Sequence, residues 1–197
     1  MSKADKKNLR QHYRALRREF AAQNKSVADA SIRQRIRELA AWRECEWIAL
    51  YAADAEEPSL LELVAEPGKR FMLPRFDAAR GEYEFAEIGD PVRDLRPGKF
   101  GMDEPGPQCP VPPAGVLMEK TLYLVPGVAF DRSGGRLGRG GGFYDRLLAE
   151  VKSPVCGVFY QVQLADQALA QAAHDRRMDF GVTEQQMLDF HHVNICR

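Results

Sequence analysis

TLYLVPGVAFDRSGGRLGRGGGFYDRLL, residues 121–148, is the stretch whose reading decides the fold. Its first six residues, TLYLVP, are a short apolar run suited to a strand buried on both faces. Residues 134–142, GGRLGRGGG, then hold six glycines and two arginines in nine positions, and the chain from Phe143 to Val151 reads as a helix. Strand, glycine loop and helix in that order predict an α/β sheet, in which ligands bind beyond the carboxyl ends of the strands. Glycines let backbone N–H groups approach an anion closely. Arg136 and Arg139 add guanidiniums that can grip phosphate oxygens in pairs. Asp145, in the first helical turn, faces the same pocket, where a carboxylate can hold a divalent cation against phosphates. The loop is not a Walker pattern, since GxxxxGK[ST] is absent, nor a Rossmann one, since Gly138-x-Gly140-x-x-Phe143 lacks the third glycine. The residues alone leave three readings open: an anion or nucleotide site, a structural turn, and an Arg/Gly element touching RNA.

The flanking chain repeats the alternation of strand and helix. WIALY (47–51), RFMLP (70–74), VCGVFY (155–160) and MDFGVTE (178–184) read as buried strands, and EYEFAEI (82–88) alternates like a half-exposed edge strand. Residues 4–22 predict an amphipathic helix in which Leu9, Tyr13, Leu16 and Phe20 share one face, with Lys6, Arg10, Arg14 and Arg17 as a cationic stripe beside it. A second helix is expected from Ser26, with Asp29 as a capping-box partner, to Ala41. A third is expected from Pro58 to about Glu66. Residues 89–115, broken by Gly and Pro, read as a long loop, a length that is usually functional or mobile. The sum is an α/β fold with a mostly parallel sheet covered on both faces.

Composition excludes several classes. The chain has 197 residues, 45% hydrophobic and 28% charged, which is ordinary for a globular domain. No window approaches the roughly 20 apolar residues of a membrane span, and the N-terminus has no apolar segment of the secretory kind. Cys45, Cys109, Cys156 and Cys196 form no CxxC pair, so thiols in a reducing compartment are expected. Lys+Arg and Asp+Glu both number 28, but residues 1–43 hold 12 of the first and 4 of the second. A basic end can meet phosphates, while the neutral total argues against a dedicated nucleic-acid binder. Trp42 and Trp47 are expected in the core.

Residues 124–148, LVPGVAFDRSGGRLGRGGGFYDRLL, resemble the signature of the 5-formyltetrahydrofolate cyclo-ligase (5,10-methenyltetrahydrofolate synthetase) family. Pro126, Gly127, Phe130, Asp131, Arg136, Leu137, Gly138, Gly140, Gly142, Tyr144 and Asp145 all fit that pattern. KKNLR (6–10), LPRF (73–76), GKFGMDEP (98–105) and HDRRMDFGVTE (174–184) resemble further segments of the family in order. The chain departs from the pattern at Asp54–Ser59, which stands where the family has a D-G-E-[VL]-x-T-like run, and at Met102, where Ile is usual.

The resemblance implies a three-layer α/β/α fold related to ribose-5-phosphate isomerase and CoA-transferase domains, as a single domain over residues 1–197. It implies conversion of 5-formyltetrahydrofolate to the 5,10-methenyl compound, with ATP as co-substrate and Mg²⁺ as cofactor. The route runs through a phosphorylated formyl group, an imidate phosphate. ATP is implied to contact Lys6, Lys7, Asn8, Leu9 and Arg10, and the run Arg136, Leu137, Gly138, Arg139, Gly140, Gly141, Gly142, Phe143 and Tyr144. Arg136, Tyr144 and Asp145 would be catalytic. Tyr51, Glu56 and Tyr144 would meet the folate, and Asp145 and Asp179 the metal. The implied partners are small molecules, with no membrane and no nucleic acid, for a cytoplasmic monomer. Other classes on the same fold are a non-catalytic folate- or nucleotide-binding module and an RNA-associated regulatory protein.

Overall fold

A computed structural model describes residues 3–98, 101–170 and 175–191. Lys99, Phe100, His174 and Cys196, which fall within segments quoted above, lie outside them. The N-terminal helix α1 runs over Lys3–Glu38, 36 residues or about 54 Å, and is followed by the short α2 (Ala40–Glu44). The main sheet is built from β1 (Trp47–Ala49), β2 (Arg70–Asp77) and β3 (Glu82–Ile88). After α3 (Pro91–Asp94) comes the pair β4 (Leu95–Pro97) and β5 (Asp103–Pro105), then α4 (Ala114–Glu119) and β6 (Thr121–Pro126). The chain continues through β7 (Ala129–Asp131), β8 (Arg136–Leu137), α5 (Phe143–Leu147) and β9 (Val155–Val158). It closes with β10 (Leu164–Ala165), β11 (Phe180–Val182) and β12 (Met187–Asp189).

Seven strands form the main sheet in the order β12-β11-β9-β6-β1-β2-β3. The five inner strands are mutually parallel and the two edges, β3 and β12, are antiparallel. The mixed α/β fold with a large, mostly parallel sheet is the expected class. The apolar runs explain it, because Leu122 to Val125 of β6 are all at most 1% exposed and so need cover on both faces. On one face Ile48, Phe71, Leu124 and Val158 pack against Ala28, Ile32 and Ile36 of α1 and Trp42 of α2. On the other, Trp47, Ala49, Met72 and Val125 meet Val116 and Leu117 of α4 and Leu147 of α5. A second sheet, β10-β7-β8, carries a small core that packs against Leu9 and Tyr13 near the start of α1. Among the described residues no helix is long and apolar enough to cross a membrane.

Three local expectations are corrected. The two helices expected over 4–22 and 26–41 are one, because Gln23-Asn24-Lys25-Ser26 contains no breaker and the buried stripe continues through Ala21, Ala28, Ile32 and Ile36. Asp29 caps nothing; its carboxylate accepts from Ser59 N at 3.1 Å and the Tyr160 hydroxyl at 2.8 Å. The helix expected over Pro58–Glu66 shrinks to a 3-10 turn at Leu61–Ala65. There α1 holds the start of the segment by its backbone: Asp29 binds Ser59 N, Arg33 binds Ser59 O and Lys25 binds Glu57 O. The long loop at 89–115 holds α3, β4, β5 and the start of α4, with Asp90 capping α3 through Val92 N at 2.9 Å.

Ile36 is fully buried where α1 meets the sheet. Ile36→Ala should therefore cost about 2–5 kcal/mol of unfolding free energy, read from the shift in urea midpoint.

Candidate functional site

A cleft of about 760 Å³ opens at the carboxyl ends of the parallel strands. Tyr51 and Ala52 follow β1, Phe76 closes β2, and Pro126 and Gly127 leave β6; all line it, as does every residue from Arg136 to Leu147. The glycine loop is held from behind. The buried Asp131 carboxylate accepts from Ser133 N at 2.7 Å, Gly135 N at 2.9 Å and Leu169 N at 2.7 Å. Burial pushes its pKa up, but the hydrogen bonds from Ser133, Leu169 and Gly135 bring it below the usual carboxylate value. Gln163 Nε2 donates to Gly127 O at 2.9 Å and Val128 O at 3.0 Å. A Cβ on Gly127 would lie 2.7 Å from the Phe130 ring, so only glycine lets the strand turn here.

The cations reach the cleft from two directions. Of the five residues from Lys6 to Arg10, only Lys6 and Arg10, one turn apart, line it. Arg10 Nε donates to Gly138 O at 2.8 Å, tying α1 to the loop. Lys7 and Asn8 are exposed, and Leu9 packs beside Leu137 under the loop. Arg136 donates to Asp145 Oδ1 at 2.7 Å and its guanidinium lies 5.4 Å from the centre of the Tyr144 ring. Its side chain is 6% exposed, and its Nε is buried with no protein partner. Arg139 reaches across the cleft to Asp54 and to Glu57 Oε1, the latter at 2.7 Å.

The acidic groups differ from expectation. Glu56 does not line the cleft; it turns to Arg18 at 2.7 Å and Arg17 at 3.3 Å, and the Arg18 hydrogen bond holds its carboxyl below the usual value. Its neighbour Glu57, 3% exposed, is the one on the cleft wall, between Arg17 at 3.1 Å and Arg139. Asp145 lines the cleft but Asp179 does not. Asp179 accepts from Val155 N at 2.8 Å and Arg176 at 2.9 Å. That is the amino end of β9, about 10 Å of strand from the cleft end. The structure therefore does not bring the two carboxylates together, and the described residues contain no cluster of three His, Cys, Asp or Glu side chains fit for a metal.

Aromatic rings form the rest of the wall. Tyr83 stands edge-on to Phe143 at 4.3 Å and to Phe76 at 5.2 Å, and Phe143 to Tyr144 at 4.7 Å. Tyr51 donates its hydroxyl to Pro58 O at 2.7 Å, and burial raises its pKa and that of Tyr144 well above the usual phenol value. Phe76, Tyr83, Glu57 and Glu104 were not singled out from the sequence. The alternation in EYEFAEI marks an exposed edge but gives no sign that the edge borders a cleft. Glu104 Oε2 accepts from Phe76 N at 3.0 Å, and its Oε1 is buried without a partner. A cationic glycine loop beside a wall of edge-packed rings can take a phosphorylated ligand and a flat heterocycle together.

The sequence model of the 5-formyltetrahydrofolate cyclo-ligase family matches residues 2–184. A 5-formyltetrahydrofolate cyclo-ligase of Mycolicibacterium smegmatis is 36% identical over 146 residues, covering 69% of this chain and 72% of the relative. One from Haemophilus influenzae is 29% identical over 170 residues, covering 83% and 89%. The solution structure of Aquifex aeolicus 5,10-methenyltetrahydrofolate synthetase superposes with a TM-score of 0.80 at 28% identity, covering 98% of this chain and 96% of that one. The 5,10-methenyltetrahydrofolate synthetase of Mycoplasma pneumoniae, 22% identical with a TM-score of 0.69, shares the fold.

Glu57→Gln removes the charge between two guanidiniums, one of them buried, and should cost about 1.5–3 kcal/mol of stability. Glu56→Gln should cost less than about 1 kcal/mol. Chemical denaturation of the two variants side by side checks this, and equal losses would contradict the burial difference.

Proposed function

The chain belongs to the 5-formyltetrahydrofolate cyclo-ligase family, and from that premise we propose that it closes 5-formyltetrahydrofolate to 5,10-methenyltetrahydrofolate while ATP is cleaved to ADP and phosphate. The observation that carries the reading is that the run resembling the family signature, Arg136 to Asp145, is also a continuous wall of the cleft. We read residues 1–197 as one catalytic domain that works as a cytoplasmic monomer. An RNA-associated role has no comparable support, because the Arg/Gly loop lines a concave cleft and not an open face.

The N5-formyl oxygen belongs to an amide and is a poor leaving group. Transfer of the γ-phosphoryl group to that oxygen makes an imidate phosphate. N10 then attacks the formyl carbon and gives up its proton, the carbon–oxygen bond breaks and phosphate departs with the oxygen. Catalysis of this kind is mostly positioning and charge stabilisation. Lys6, Arg10 and the amides of Gly138 to Gly142 would hold the triphosphate. Arg136, on the cleft wall, would stabilise the moving phosphoryl group. The rings of Tyr51 and Tyr144 would bear on the pterin. Tyr51 would do so with its ring, since its hydroxyl is committed to Pro58. Glu57, in place of Glu56, would accept the pterin N–H groups.

The donor set does not make a metal site from protein alone: the cleft offers Asp145, and Arg136 already balances it. It does fit Mg²⁺ that arrives with the nucleotide, which keeps several waters and takes one or two carboxylates. Asp145 would hold it, and the ion would neutralise phosphate charge; Asp179 is too far along the sheet to share it.

Methenyl product, followed by its near-ultraviolet absorbance, should form only with ATP and a divalent metal, one-for-one with ADP and phosphate. Full-rate formation without nucleotide would overturn the reading. Asp145→Asn should lower the rate and raise the Mg²⁺ concentration for half-maximal activity. If Asp145 served only to orient Arg136, the rate would fall by the same factor at every Mg²⁺ concentration.

A further inference from the structure

Arg139 sits in the glycine loop, yet its guanidinium is engaged by Glu57 of the cleft's other wall and by Asp54 behind it. Those carboxylates belong to a closed set. Arg17 contacts Asp54 at 3.3 Å, Glu56 at 3.3 Å and Glu57 at 3.1 Å, and Arg18 contacts Glu56 at 2.7 Å. Three guanidiniums thus face three carboxylates, and the charges balance. The members are not equally free to leave. Arg17 and Glu57 have side chains 4% exposed, so neither can be stripped of partners without stranding a buried charge. Arg139 is 44% exposed and lines the cleft, so it can leave with water or a ligand taking its place. One guanidinium cannot hold two carboxylates across the cleft and also close on a phosphate group over its own loop.

We propose that Arg139 exchanges Asp54 and Glu57 for nucleotide phosphate oxygens, and that this exchange couples the binding of the two substrates. The proposal rests on the reading of the cleft as an ATP and folate site. When Arg139 leaves, the remaining set carries one excess negative charge, and Glu57 loses a donor on the cleft side. A heterocycle that donates N–H groups to Glu57 replaces that donor. Conversely, a heterocycle already on Glu57 displaces Arg139 and releases it toward the phosphates. Each ligand makes the other's binding more favourable, by the same factor in both directions. Asp54 does not line the cleft; it bridges Arg17 and Arg139 and so acts as a positioning residue that sets how firmly Arg139 is retained.

The sign of its substitution separates this role from a structural one. Asp54→Asn keeps an oxygen for Glu56 N, which now binds Oδ1 at 2.9 Å, but removes the charge that retains Arg139. Calorimetric titration of the full chain with the β,γ-imido analogue of ATP and Mg²⁺, with and without saturating 5-formyltetrahydrofolate, reads both affinity and coupling. In the wild type, folate should tighten the analogue by about 5-fold or more. Asp54→Asn alone should bind the analogue about 2- to 5-fold more tightly than wild type, the worth of a half-exposed ion pair. Its response to folate should shrink by a similar factor. Glu62→Gln, which removes the same charge at a site 73% exposed and outside the cleft, should change neither. Arg139→Met should bring the folate response close to one. Weaker or unchanged analogue binding in Asp54→Asn, or an undiminished folate response in Arg139→Met, would overturn the exchange. Independent binding of the two ligands to the wild type would overturn it while leaving the functional reading intact. A wild type that bound no nucleotide would overturn both.

Discussion

Two buried charges hold the cleft in shape. On α1, Arg17 lies under the segment that follows β1 and grips Asp54, Glu56 and Glu57 together. Three turns further on, Asp29 ties the same segment to Tyr160, just beyond β9. A buried ion must keep a charged partner, because stripping it of all of them leaves a bare charge in a medium of low polarity. The helix and the post-β1 segment are therefore fixed relative to one another by charge accounting, while the apolar face of α1 attaches it to the sheet and Arg10 ties it to the glycine loop through Gly138 O.

From that constraint follows the division of labour across the cleft. Cations come from the helix start and the loop, acids from the post-β1 segment, and rings from the edge pair β2–β3 and the start of α5. Each is far from the others in sequence, and the parallel sheet brings them together because its carboxyl ends all point one way. Asp131 braces the loop from below through Gly135 N, and Gln163 braces the exit of β6 through Gly127 O and Val128 O, so the backbone here does not depend on the loop's guanidiniums. Those side chains stay available for a ligand or for the opposite wall.

Much of this was legible in the amino-acid order. The inner strands are short, apolar and bounded by turn residues, and burial on both faces is what such runs require; the expected strands at 47–51, 70–74, 121–126 and 155–160 all occur. The glycine loop announced its cleft through composition, and the spacing of Lys6 and Arg10 placed both on one helix face, where both line the cleft. The family likeness ran through the same residues.

What the sequence by itself determined was whatever depends on neighbours along the chain: strand character, the helical stripe, the loop that must hold close backbone approach. Only the tertiary structure decided between Glu56 and Glu57: both meet the buried Arg17, but Glu56 is drawn out to the exposed Arg18 and Glu57 in to Arg139 on the cleft. Only it separated Asp145 from Asp179, since strand register sets which end of the sheet a residue reaches. Only it joined the two N-terminal helical stretches into one, by giving Ala28, Ile32 and Ile36 a sheet to cover and Asp29 a hydrogen-bonding role across the fold. Partners remote in sequence carry these choices, and no local pattern encodes them.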